Sequence, residues 1–406
     1  MPRRLPAHTA SGLANVGAAA LLLVACGREP TVPFADGGSG RGLGLDAVWQ
    51  ARGFQGVSIP ATDASHVYVR DAGRVVRAFD KRTGAPRWQR PLPADAGSPN
   101  ARLATTAGLV LVGGDATLLA LDAATGADRW RFRGDATESA GALVPAVDDS
   151  TVYLAALGSA RVYAVDARTG QTRWATAVAP PVSGAPLTQV SASAYYPVLD
   201  DERVFVTYIR FHARDQQPGN QGGVAAVSRR TGELLWRYEF VRRDPPLNVG
   251  TGIGNPPAVR GGVVVAASGD GWTYGLDAGT GAERWRLPSL PRPAESLGQI
   301  CFVGAGAGVA LVGCGDGQFR AVDLQTGAMT WQRAVFDVGS PWSITTDGPH
   351  AFVGFFGQSL VAFDLRSGAE RWKFQASDLV GFMHGAWPDG DLVYAAGNPG
   401  LVALRR

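Results

Sequence analysis

The 406-residue sequence predicts an all-β fold, an eight-bladed propeller of four-stranded antiparallel blades whose last blade is closed by the N-terminal strand. Three observations carry this reading. One short pattern, a strand followed by Asp-x-x-Thr-Gly and a return strand with Trp, recurs seven times. Successive copies are 42, 44, 62, 49, 46 and 41 residues apart by their Gly, a period that belongs to propeller blades. The two ends of the chain carry complementary halves of an eighth copy.

The pattern is plainest at Val361-Ala362-Phe363-Asp364-Leu365-Arg366-Ser367-Gly368, which leads to Trp372. The other copies run from Asp80, Asp122, Asp166, Ser228, Asp277 and Asp323 through Gly84, Gly126, Gly170, Gly232, Gly281 and Gly327. They end at Trp88, Trp130, Trp174, Trp236, Trp285 and Trp331, always four residues after the Gly. An Asp side chain bonds backbone N–H groups just ahead of it and closes a tight turn. The Gly supplies the positive φ such a turn needs. The Trp brings a large apolar surface to the seam between neighbouring blades.

Two further columns fix the register. The residue two before the Asp is small (Ala78, Ala120, Ala164, Ala226, Gly275, Ala321, Ala362), and the next is bulky (Phe79, Leu121, Val165, Val227, Leu276, Val322, Phe363). Adjacent strand residues face opposite sides, so the small one lets the next blade approach and the bulky one fills the opposite seam. The segment from Leu401 to Arg406 is the small-then-bulky strand without its turn and Trp strand. Val48-Trp49-Gln50-Ala51 supplies the missing strand, which closes the ring and leaves no free edge there. Residues 46–406 then hold eight blades of roughly 45 residues each.

The first 45 residues read differently. Arg3-Arg4 and a mostly apolar run from Leu13 to Ala25 have the form of a signal peptide over residues 1–25, too short to span a bilayer. Residues 27–45 are rich in Gly, Pro and Ser and read as a flexible tether, with a reach of roughly 25 Å. The formal charge of +3 includes Arg3 and Arg4, so no broad basic field recommends a nucleic acid as partner.

Beyond Cys26 the only cysteines are Cys301 and Cys314, in apolar strands around a turn near Ala307-Gly308. Antiparallel pairing about that turn brings the sulfurs close enough for a disulfide, and two buried thiols are the alternative. His8, His66, His212, His350 and His384 show no metal spacing, and no nucleophile elbow or dinucleotide fingerprint occurs. Asp389-Gly390-Asp391 reads as a hairpin turn. No catalytic residue, metal or cofactor follows from the residues.

The repeat between Gly170 and Gly232 is overlong, with its excess read as residues 180–199, containing Tyr195-Tyr196, and a loop over 212–223 that begins at His212. A second long connection, 241–257, carries Arg242-Arg243. Loops on a rigid scaffold are where recognition sits, so these five residues are candidate partner contacts.

The repeat of Ala362-x-Asp364 through Gly368 to Trp372 resembles that of pyrroloquinoline-quinone-type propellers, and Leu23-Val24-Ala25-Cys26 resembles a lipoprotein cleavage site. With the tether and the split blade, the chain is similar to the BamB-type lipoproteins of outer-membrane β-barrel assembly. That resemblance implies acylation of Cys26, sorting to the outer membrane with the propeller in the periplasm, and a monomeric, non-catalytic scaffold. It also implies docking onto the central barrel-assembly subunit. The alternative is a generic extracytoplasmic propeller that binds another protein or ligand, and behind it the quinone-dependent dehydrogenase branch, whose adjacent Cys-Cys pair has no counterpart here.

Overall fold

Alternating, β-branched and aromatic segments of about six residues, punctuated by Gly turns, pair here into eight four-stranded antiparallel sheets. The computed structural model describes residues 47–406 apart from short stretches, the longest being 135–142, 181–189, 241–254, 289–300 and 376–385. Every regular element among the described residues is a strand. Blades 1 to 7 cover residues 61–91, 103–133, 143–177, 190–239, 258–288, 301–334 and 341–375, each with its strands in chain order. Blade 8 takes three strands from residues 386–405 and its outer strand from Ala47–Arg52, which pairs antiparallel with Gly400–Arg405. The ring is therefore closed by pairing the two ends of the chain.

The first strands of successive blades neighbour one another around the axis, and their side chains tie them together. Thr105 Oγ1 donates to Thr62 O at 2.6 Å, and Trp387 Nε1 donates to Thr62 Oγ1 at 3.2 Å, joining blade 8 to blade 1. The apolar core is split into eight clusters, one per seam between blades. In blade 1, Ala78 faces blade 2 among Val110 and Leu121, while Phe79 faces blade 8 among Trp49 and Tyr394.

The long repeat corrects one expectation. Residues 212–223 are not a loop. Arg203–Arg214 and Gln217–Ser228 form a continuous antiparallel pair of 12-residue strands, with Val190–Leu199 alongside. Pro218, Gly219, Gly222 and Gly223 read as turn residues in isolation, but the cross-strand ladder from neighbouring residues holds them extended.

Candidate functional site

The repeated turn is built from its Asp outward. In blade 2, Asp122 Oδ1 accepts from the backbone N of Thr125 at 2.9 Å and from Thr125 Oγ1 at 2.8 Å, and Gly126 N donates to Asp122 O at 2.8 Å. The other carboxylate oxygen accepts from an arginine seven residues on: Arg87 on Asp80, Arg129 on Asp122, Arg173 on Asp166, Arg284 on Asp277 and Arg371 on Asp364. That guanidinium pulls Asp122, Asp166 and Asp277 down to about 2 and Asp80 and Asp364 further down. Where Ser228 replaces Asp, the residue before the Trp is Leu235, 43% exposed, instead of arginine. This Asp-to-Arg spacing was legible in the sequence and is absent from the expectations above.

The turn of one blade receives the indole of the blade before it. The seven turn glycines have φ between 68° and 76°. A Cβ on Gly126 would stand 2.7 Å from Trp88, and one on Gly281 would stand 2.6 Å from Trp236, so each ring lies flat on a glycine. Each indole N–H then donates to the carbonyl that follows the turn Asp or Ser: Trp88 to Ala123 at 2.9 Å, Trp174 to Arg229 at 3.0 Å, Trp236 to Ala278 at 3.0 Å, Trp331 to Leu365 at 2.9 Å. Trp130 and Trp285 repeat the contact on Ala167 and Leu324, and Trp49 makes it across the ring closure to Lys81 O at 3.1 Å. The small residue opposite each Trp makes room for it, and a Cβ on Gly275 would stand 2.0 Å from Trp285.

Trp372 is the exception. Its blade is followed by blade 8, whose third and fourth strands are not consecutive in the chain, so no Asp-x-x-Thr-Gly turn joins them. Among the described residues no carbonyl accepts from its indole. A slot of about 600 Å³ opens there, lined by Trp372, Phe352, Ala362, His350, Arg371 and Arg405. Arg406 Nη1 lies 2.5 Å from Asp347 Oδ2, and its Nη2 lies 3.2 Å from His350 Nδ1. Burial, with Arg406 and Arg371 close by, holds the His350 imidazole below its ordinary range.

Cys301 and Cys314 face each other across the first two strands of blade 6 and are joined, with S–S at 2.10 Å and Cα atoms 4.1 Å apart. Of the candidate contact residues, Tyr196 is half-buried at φ 33°, with the Arg102 guanidinium 4.2 Å from its ring centroid. Tyr195 pairs with Thr207 and His212 with Val190 and Gly219 through the backbone. Arg242, Arg243 and Cys26 lie outside the described residues. The structure therefore places Tyr195, Tyr196 and His212 on one blade, and the root of that blade's long hairpin is fixed by side chains. Arg210 Nη2 meets Glu239 Oε1 at 3.0 Å and also Gln221 Oε1, while Gln221 Nε2 donates to Glu239 Oε2 at 3.0 Å. No group of three or more His, Cys, Asp or Glu able to hold a metal occurs among the described residues.

Comparison with known proteins falls into the same frame. A family model described as outer membrane protein assembly factor BamB matches residues 44–221 and 220–379. The chain is 29% identical over 160 residues to the outer membrane protein assembly factor BamB of Yersinia pestis, covering 37% of this chain and 39% of that protein. It is 30% identical over 262 residues to the serine/threonine-protein kinase AfsK of Streptomyces griseus, covering 61% of this chain and 28% of that one. The chain thus spans less than half the length of the curated relatives it matches. Among solved structures, BamB from Moraxella catarrhalis superposes with a TM-score of 0.63 at 19% identity, covering 89% of this chain and 99% of that one. The quinohemoprotein alcohol dehydrogenase from Comamonas testosteroni superposes with a TM-score of 0.64 at 16% identity, covering 89% and 76%. At these identities both structures speak to the fold.

Proposed function

The chain belongs to the outer membrane protein assembly factor BamB family, and from that premise we propose that it is a non-catalytic scaffold of the cell envelope that assists outer-membrane β-barrel assembly. The observation that carries this reading is the family match, which runs through both halves of the propeller. In this reading residues 1–25 are a signal peptide and Cys26 carries the lipid. Residues 26–45 are the tether, and the propeller faces the periplasm as a monomer. Acyl chains on both the Cys26 thiol and its amino group hold the protein at the membrane, where one chain alone is marginal. The partner is the central barrel-assembly subunit, which meets a rigid ring through its loops and long hairpins.

The test is an affinity pull-down of the membrane-anchored protein after gentle crosslinking, with the Cys26→Ala form as the anchoring control and mass spectrometry as the readout. Recovery of an outer-membrane barrel-assembly subunit, reduced in the control, supports the scaffold. Enrichment of a different envelope protein sinks it and leaves a propeller that serves that partner.

A further inference from the structure

We propose that Arg102, set against Tyr196 on the axial side of blade 3, is the centre of a binding site for a small oxyanion, a carboxylate or a phosphate, inside the ring. The site goes beyond the envelope role and does not rest on it. Its place follows from the registers. The second strands of blades 2, 3 and 4 begin at Leu109, Thr151 and Arg203, each opposite its turn residue Asp122, Asp166 or Ser228. Four residues on stand Gly113, Ala155 and Thr207. Ala155 pairs with Val144, and Thr207 pairs with Tyr195. Leu103 pairs with Val112, so the next step of the antiparallel ladder sets Arg102 level with Gly113. Arg102, Val144 and Tyr195 therefore stand at one height on three successive blades. The first strand of blade 3 continues past that height to Leu143, so a contact from Arg102 to Tyr196 cannot pass over its end. It runs along the edge of that strand which faces the axis.

The charge at that point lacks a partner. Other arginines within the sheets carry a carboxylate: Arg77 has Asp71, Arg210 has Glu239 and Arg320 has Asp316. Arg102 has none among the described residues, and its guanidinium lies over the Tyr196 ring, 4.2 Å from the centroid. Burial pulls that guanidinium below its ordinary range, and among the described residues Tyr196 alone acts against the pull. A cation taken out of water without a counter-ion is costly. An oxyanion removes that cost. A guanidinium resting on a ring keeps the N–H groups of its edge free for two parallel hydrogen bonds to a carboxylate or phosphate. The backbone commits Tyr196 to this position, since it sits in the bulge between Tyr195 and Val198 with φ 33°. A bulge re-aims a side chain, and a bulky residue at positive φ marks strain that a functional contact repays.

The test uses the full-length chain labelled with fluorotyrosine, with the Tyr196 resonance assigned by Tyr196→Phe. Inorganic phosphate and acetate are titrated separately at constant ionic strength, with chloride as the balancing ion. The expected result is a saturable movement of the Tyr196 resonance with a dissociation constant of about 1 mM or tighter. The resonances of Tyr68, Tyr274 and Tyr394 should stay in place. The tighter of the two anions tells whether the site takes a phosphate or a carboxylate. Arg102→Leu should weaken that binding at least about tenfold, and Arg102→Lys, which keeps the charge without the fork, should weaken it less. A Tyr196 resonance that moves with neither anion overturns the proposal, and so does equal binding in folded Arg102→Leu. If the variants fail to fold, the titration of the unsubstituted chain decides alone.

Discussion

The seam between blades 6 and 7 and the seam between blades 7 and 8 begin with the same indole and finish differently. At the first, Trp331 lies on Gly368 and donates to Leu365 O. At the second, Trp372 has the same small neighbour opposite, Ala362, but faces strands that come from opposite ends of the chain. The indole contact therefore depends on a continuous hairpin in the next blade. The ring is a series of seven repeated joints and one joint of another kind.

Removing the joint outright gives the largest expected effect. Trp236→Ala should destabilise by about 3–5 kcal/mol, since it deletes a buried indole and leaves Ala278 O without its donor. Trp372→Ala should cost about 1 kcal/mol less, because no described carbonyl loses a partner. Urea unfolding of the two variants checks the difference, and equal losses would show that the indole hydrogen bond adds nothing to a seam.

Glycine substitutions separate stacking from backbone geometry. Gly126→Ala should cost about 2–4 kcal/mol, from a left-handed φ of 72° and a Cβ driven into Trp88. Gly348→Ala, with φ 57° and nothing within 4 Å of its Cβ, should cost only about 1–2 kcal/mol. Similar denaturation midpoints for both would mean that the flat approach of the indole is not what selects glycine.

Acid gives the smallest and most distributed effect. Asp122, Asp166 and Asp277 have folded-state pKa values of about 2 against 3.8 unfolded. Their contribution is present in full above pH 3.8 and is lost as pH falls through about 2. Asp122→Asn should flatten the acid limb of stability against pH, and Leu235→Arg, beside Ser228, should leave it unchanged. A limb that keeps its slope in Asp122→Asn would place the acid sensitivity elsewhere.

Much of the fold was legible because its determinants are local. An Asp, a Gly and a Trp stand at fixed offsets along one hairpin, so the pattern from Asp80 to Trp88 can be read without knowing what lies beyond. Val48-Trp49-Gln50 was legible as a displaced outer strand for the same reason. The hairpin of blade 4 was not, since Gly219 and Gly222-Gly223 favour a turn in isolation and only the facing strands 190–199 and 203–214 hold them extended. The paired arginines were open to view in the spacing from Asp122 to Arg129, and their effect on the turn appears only when the return strand lays one beside the other.

The candidate contact residues divide in the same way. Length alone singled out the repeat with Tyr195, Tyr196 and His212, and the structure puts all three on the extended strands of one blade. The slot beside Trp372 had no sequence signal, because it arises where two ends of the chain meet. The sequence by itself determined the number of blades, the place of each repeated Asp-to-Gly turn and the source of the closing strand, because each is written in a pattern a few residues long that reads the same wherever it stands. The tertiary structure decided which indole meets which glycine, which seam stays open and which strands grow long. Those outcomes depend on how neighbouring sheets pack around a common axis, and no single repeat carries that information.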